Sequence, residues 1–213
     1  MQAVSSTIHG AGWEGELLRV ADARGVVLVC VDAGPLGAGE RSMALRRVLG
    51  DYGLSTLAVA VPGAQHGGDA AASLADSRAW TTGFGEALAW IAVHDRPEGA
   101  AVGLLGEEAA AAAALRVAAS HAGRVLAVVT CNGRLLAADD TLARVRAATL
   151  MVVSALDTDA LAAHREALQL LRGERRLEGI PGVTRALHEP GAFDTIAHLA
   201  GSWLRDRLGA ALN

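Results

Sequence analysis

Short, continuous apolar runs rich in β-branched residues recur along this chain and alternate with longer stretches patterned at helical spacing. The runs Val26–Val31, Ser55–Val61, Ala101–Leu105, Val125–Thr130 and Thr149–Ser154, with a later one near Arg176–Ile180, predict strands. They lack polar alternation, as expected of strands covered on both faces. Between them, helices are predicted at Glu40–Tyr52, Ser73–His94, Glu108–His121, Thr158–Leu171 and Ala192–Leu208. The last gathers Phe193, Ile196, Ala197, Ala200, Trp203, Leu204 and Leu208 on one side. The run Ala109–Ala114 is of low complexity, but alanine is the best helix former, so it reads as helix. This alternation predicts an α/β fold, a mostly parallel sheet with right-handed crossovers and helices on both faces. Ahead of it, Thr7–Ile8 and Glu16–Val20 flank a glycine-rich stretch, which predicts an edge hairpin within residues 1–22. No repeat or linker interrupts the pattern, so residues 1–213 are expected to form one domain without a cap.

Composition narrows the partners. Hydrophobic residues are 52% of the chain and aromatics only 3%, so Ala, Val and Leu must fill the core. Net charge is −4, and no basic stripe or exposed aromatic series points to nucleic acid. All 19 basic residues are arginine, which excludes a Schiff-base or general-base lysine. No apolar run reaches the roughly 20 residues of a membrane span, and Met1-Gln2-Ala3-Val4-Ser5 lacks the basic start and apolar block of a signal peptide. Cys30 and Cys131 are far apart and form neither a metal nor a redox spacing. Reduced thiols and a cytoplasmic location are the expectation.

The chemistry concentrates after the predicted strands. Gly103-Leu104-Leu105-Gly106-Glu107-Glu108-Ala109-Ala110 joins an apolar strand to an alanine-rich helix, the setting of a nucleophile elbow, with Glu108 where Ser or Cys would stand. The loop Gly63-Ala64-Gln65-His66-Gly67-Gly68-Asp69 should lie at the carboxyl edge of the sheet, where open α/β folds bind ligands. His66 is thereby a pocket candidate or a polar surface residue. Asp32-Ala33-Gly34-Pro35-Leu36-Gly37-Ala38-Gly39 lacks the lysine of a phosphate loop and the downstream acid of a dinucleotide site, so no cofactor is expected. No His-x-x-x-His or Glu-x-x-His pattern proposes a metal.

The chain resembles the dienelactone hydrolase branch of the α/β-hydrolases, most of all its small bacterial domains, which are sometimes fused to phosphoribosyltransferases. Gly103-Leu104-Leu105-Gly106 with the alanine helix, Arg124-Val125-Leu126-Ala127-Val128-Val129, Asn132-Gly133-Arg134, Arg144-Val145-Arg146-Ala147-Ala148-Thr149-Leu150, Pro181-Gly182-Val183-Thr184 and Glu189-Pro190-Gly191-Ala192-Phe193 carry the likeness in order. The resemblance implies a triad of nucleophile, acid and histidine, in that chain order. Its positions here are Glu108, Asp157 and Arg185, so only the acid is kept. Val31-Asp32 replaces the His-Gly pair that commonly follows the first strand, although Gly34 and Pro35 retain the makings of an oxyanion-type loop.

Those substitutions alter the chemistry. A carboxylate can attack carbon without losing a proton, but the resulting ester then needs a base to activate water, and arginine, with a pKa above about 12, cannot serve. Glu at one place and Arg at the other can instead form an ion pair across the site, flanked by Asp157. Plainer roles compete: Glu107 and Glu108 as charges at a helix start, and Asp157 or Asp159 as a helix cap. Cys131 reads as apolar filler or a displaced nucleophile, and His188 as a loop residue or a displaced base. His9, His94, His121, His164 and His198 read as helix-end or surface residues.

The pattern therefore predicts a cleft lined by Asp32, Gly34, Pro35, His66, Glu107, Glu108, Cys131, Asp157, Arg185 and His188. Three functions stay open. The first is a non-hydrolytic binding, structural or regulatory protein. The second is an enzyme of isomerase, cyclase or lyase type using Glu108 or Asp32 as acid or base, with a small carbonyl or anionic ligand on Arg185. The third is residual ester or lactone hydrolysis. A homodimer is allowed, with no residue pattern specifying it.

Overall fold

A computed structural model describes residues 4–31, 39–64, 70–94, 101–133 and 140–209. Asp32, Gly34, Pro35 and His66, the expected loop contributors to the cleft, lie outside the described residues. The elements are β1 (Val4–His9), β2 (Glu14–Arg19), β3 (Gly25–Cys30), α1 (Glu40–Asp51), β4 (Leu54–Ala60), α2 (Ala70–His94), β5 (Val102–Glu107), α3 (Ala109–Ser120), β6 (Val125–Cys131), β7 (Ala148–Ser154), α4 (Thr158–Leu170), β8 (Arg175–Ile180) and α5 (Ala192–Gly209). A short 3-10 turn at Asp140–Arg144, which has no periodic signature, precedes β7.

The strands form one eight-stranded sheet in the order β1-β2-β4-β3-β5-β6-β7-β8. Strands β3 to β8 run parallel, and the β1–β2 hairpin adds two antiparallel strands beside β4. Every residue of β3, β5 and β7 is buried, because helices cover both faces and leave no solvated side to demand polar alternation. One face packs Val26, Leu28, Leu104 and Val128 against Phe84 and Leu88 of α2 and the alanines of α3. The other packs Val27, Val29, Leu105 and Val129 against Leu45 and Leu49 of α1 and Ile196, Ala200 and Leu204 of α5. Alanine on α3 suits this design, since Ala110 to Ala114 are all buried and bring the helix close to the sheet.

A buried cation ties the hairpin to the domain. Arg46 on α1 is only 2% exposed. Its Nη1 donates to Glu16 Oε2 (2.8 Å), its Nη2 to the Glu16 carbonyl (2.9 Å) and its Nε to Thr56 Oγ1 (3.1 Å). Helix α1 is thus bound to β2 and β4 by charge-assisted hydrogen bonds, which are about twice as strong as neutral ones.

One histidine departs from the surface role expected of it. His164, on α4, is 1% exposed. Its Nδ1 lies 2.7 Å from the Ala160 carbonyl, so this nitrogen carries the proton, and its buried Nε2 has no hydrogen-bond partner among the described residues. Burial pushes its pKa below the ordinary 6.5, more than the neighbouring carboxylates raise it. The core therefore holds this imidazole neutral.

Two outcomes follow from these buried groups. Arg46→Ala removes the buried hydrogen bonds to Glu16 and Thr56, and urea unfolding should show a loss of about 3 kcal/mol. For His164, the unfolded chain binds a proton that the folded one resists. Stability should be full above the ordinary value of 6.5 and fall as pH drops below it, and this fall should be shallower in His164→Gln when thermal unfolding is followed between about pH 7.5 and 5.

Candidate functional site

The carboxyl ends of β5, β6, β7 and β8 bring together Glu108, Asn132, Ser154, Asp157 and Arg185. Glu108 stands between β5 and α3 with φ 51° and ψ −117°, a conformation that side-chain-bearing residues rarely adopt and that costs about 1–3 kcal/mol. Packing enforces it. A Cβ on Gly106 would lie 2.3 Å from the Ala110 carbonyl oxygen, and one on Gly133 2.2 Å from the Ala111 Cβ. The Glu108 amide donates to the Cys131 carbonyl (3.1 Å), and its carbonyl accepts from the Ala111 amide (3.2 Å). This is the strand–turn–helix of a nucleophile elbow, carrying a carboxylate.

Arg185 meets that carboxylate from the loop after β8. Its Nε donates to Glu108 Oε1 (2.8 Å) and its Nη2 to Oε2, a side-on bidentate pair. Nη2 also donates to the Asn132 carbonyl (3.2 Å). The Glu108 side chain is 18% exposed and that of Arg185 39%. Pairing drives the guanidinium pKa further above its usual value, chiefly through the hydrogen bond to Glu108, which outweighs desolvation.

Asn132 is the hub that sequence reasoning passed over. It sits at φ 51°, a left-handed conformation that Asn tolerates better than most residues. Its Nδ2 donates to the Arg185 carbonyl (3.2 Å), and its Oδ1 accepts from the Ser154 amide (3.1 Å). The Ser154 hydroxyl donates to the Val183 carbonyl and accepts from the Leu156 amide (3.2 Å). The Thr184 amide donates to Glu189 Oε1 (3.0 Å), and this bond holds the Glu189 carboxyl below the usual range. Leu187, buried at φ 53°, anchors the same loop. Beyond its place in the Asn132-Gly133-Arg134 stretch that carries the family likeness, the sequence signal for Asn132 is an Asn-Gly step directly after a strand.

Asp157 caps α4, its Oδ1 accepting from the Ala160 amide (2.9 Å). It shares with Ser154, Leu156, Asp159, Thr184 and Arg185 a shallow groove of about 430 Å³ beside the ion pair. Three expected cleft residues lie elsewhere. Glu107 is fully buried, because it ends a central strand in register with Cys131 and faces the covered interior rather than the groove. Cys131 is likewise fully buried. Burial first, then Glu107 and Glu108, raise its thiol pKa well above the ordinary value, so it stays protonated and is apolar filler rather than a nucleophile. His188 is exposed and absent from the groove lining. Among the described residues, no group of three His, Cys, Asp or Glu side chains is placed to hold a metal, and no helix is long and apolar enough to cross a membrane.

No protein-family model matches the sequence. Two strains of Mycobacterium tuberculosis carry a curated relative, named provisionally as a phosphoribosyl transferase, that is 35% identical over 119 residues, 56% of this chain. That match spans only 27% of the relative's length. Among solved structures, the dienelactone hydrolase of Anabaena variabilis superposes with a TM-score of 0.81 at 25% identity, covering 97% of this chain and 98% of its own. A dienelactone hydrolase-like promiscuous phosphotriesterase from metagenomic libraries follows at 0.74 and 19% identity, covering 97% and 98%. The esterase domain of a Rhodothermus marinus protein gives 0.71 at 16% identity, covering 98% and 100%. The eight-stranded sheet, the elbow after β5 and these likenesses agree: the chain has the α/β-hydrolase fold and is similar to the dienelactone hydrolase-like branch of it.

Proposed function

We propose that this protein is a non-hydrolytic member of its branch, in which an ion pair occupies the place of the nucleophile and its base and the domain serves as a structural or regulatory module. The bidentate contact of Arg185 with Glu108 carries this reading. Acyl transfer needs a nucleophile released by a base, and a permanently charged guanidinium neither accepts a proton nor activates water. Asp157, the acid that would orient a histidine, is occupied as the cap of α4. Two further titratable candidates among the described residues are unsuited as well: the Cys131 thiol is kept protonated by burial, and the exposed His188 is absent from the groove lining. General acid–base work by Glu108 is disfavoured too, because Arg185 engages both of its carboxylate oxygens. The match to a limited part of a longer relative supports a module working beside other domains, with a phosphoribosyl transferase as the partner that this relative's name suggests.

The same geometry bears on ligands. Glu108 neutralises Arg185, while Asp157 and Asp159 add two carboxylates to the groove. A small neutral carbonyl compound hydrogen-bonded to the remaining guanidinium N–H groups suits these surroundings better than an anion, which the local charge repels.

Hydrolysis of short-chain aryl esters and lactones tests the reading. The wild-type protein should not exceed the buffer rate, and Glu108→Ala should change nothing. Glu108→Ser combined with Arg185→His rebuilds a serine–histidine couple on the retained elbow and should raise turnover by about 10²-fold or more. Wild-type turnover that is abolished by Glu108→Ala or Asp157→Ala overturns the proposal.

A further inference from the structure

The outer edge of the sheet carries a pattern that the site does not use. β8 is the last strand, and among the described residues no strand pairs with its far side. The phase of its hydrogen bonds is set at both ends. The Thr149 amide donates to the Glu174 carbonyl (2.8 Å) and the Ala155 amide to the Ile180 carbonyl (3.1 Å). In a parallel ladder, alternate residues turn their main chain toward the neighbour. Glu174, Arg176, Glu178 and Ile180 therefore turn inward to β7, and Arg175, Leu177 and Gly179 present their amide and carbonyl groups to the open edge. Side chains alternate in the same rhythm. Leu177 packs against the core on the α4 face, whereas Arg176 and Glu178 share the opposite face and form an ion pair with each other.

We propose that this edge pairs with the β8 edge of a second copy, antiparallel about a two-fold axis through Leu177. Such an axis sets Leu177 opposite Leu177 and Arg175 opposite Gly179, the three residues whose main chains are free, so that six inter-chain hydrogen bonds close. Arg176 then faces Glu178 of the copy, and Glu178 faces its Arg176, at non-hydrogen-bonded positions where side chains approach most closely. Other registers fail on charge or backbone. An axis through Arg175 sets two Arg175 guanidinium groups against each other, and one through Gly179 sets Pro181, which has no amide proton, against Leu177. An axis through Arg176 sets two guanidinium groups opposite each other at a non-hydrogen-bonded position, and one through Glu178 does the same with two carboxylates. Gly179 fits the same picture. A Cβ there would meet only ordinary contacts at 3.6 Å within its own chain, so the interior does not require glycine, whereas opposite Arg175 its bare main chain leaves room for that side chain. Charges on an edge strand ordinarily discourage pairing, but here their order is self-complementary.

The interface is small, so the dimer is weak and concentration-dependent. Sedimentation equilibrium over a wide concentration range should show the mass rising from 21.8 kDa toward twice that value. Glu178→Arg or Arg176→Glu alone sets like charges opposite one another and should hold the protein monomeric. The double exchange Arg176→Glu with Glu178→Arg restores complementarity within and between chains and should restore the dimer. Circular dichroism confirms that each variant is folded. A wild-type protein that is monomeric up to millimolar concentration, a dimer indifferent to both single reversals, or a folded double exchange that stays monomeric would each overturn the proposal.

Discussion

The ion pair between Glu108 and Arg185 is the contact on which the arrangement of the site depends. Each partner arrives on a different segment, one on the turn after β5 and the other on the loop after β8, so the pair spans the carboxyl ends of four parallel strands. Two half-buried charges lose hydration when they are brought together, and their attraction offsets that loss only when further hydrogen bonds satisfy what remains. Asn132 supplies this support. Its carbonyl accepts a hydrogen bond from the guanidinium while its side chain grips the Arg185 main chain and the start of the loop after β7. Ser154 and Glu189 fasten the loop after β8, at Val183 and Thr184. The result is a short polar network that ties together the turns after β5, β6, β7 and β8, a geometry that favours one fixed arrangement over a mobile pocket.

The family's sheet and elbow were legible in the sequence because they follow from local rules. Continuous apolar runs such as Val26–Val31 and Thr149–Ser154 can only be strands covered on both faces, and Gly106 followed by an alanine helix marks the tight turn between them. The meeting of Glu108 with Arg185 lies 77 residues apart in the chain and became thinkable only through the resemblance, which aligned the two positions. Burial was harder to read. Glu107 and His164 are polar residues that local pattern assigns to the groove or the surface, yet each lies where a covered strand or a packed helix leaves no choice of direction. The role of Asn132 escaped notice for the opposite reason: it comes from main-chain geometry and two partners distant in sequence, Arg185 and Ser154, neither visible from its neighbours.

Backbone strain gathers at the same place. Of the four non-glycine residues described with positive φ, three are Glu108, Asn132 and Leu187, and all belong to the site or its loop. Strain of this kind persists only where the surroundings over-determine it. At the elbow the determinants are the close approaches at Gly106 and Gly133 and main-chain hydrogen bonds, none of which involves the side chain of residue 108. The sharp turn is therefore a socket whose shape is indifferent to its occupant. A lineage can exchange the group seated there, a hydroxyl, a thiol or a carboxylate, without renegotiating the fold, so the architecture of a catalyst can outlive its reaction and be handed on intact to a different task.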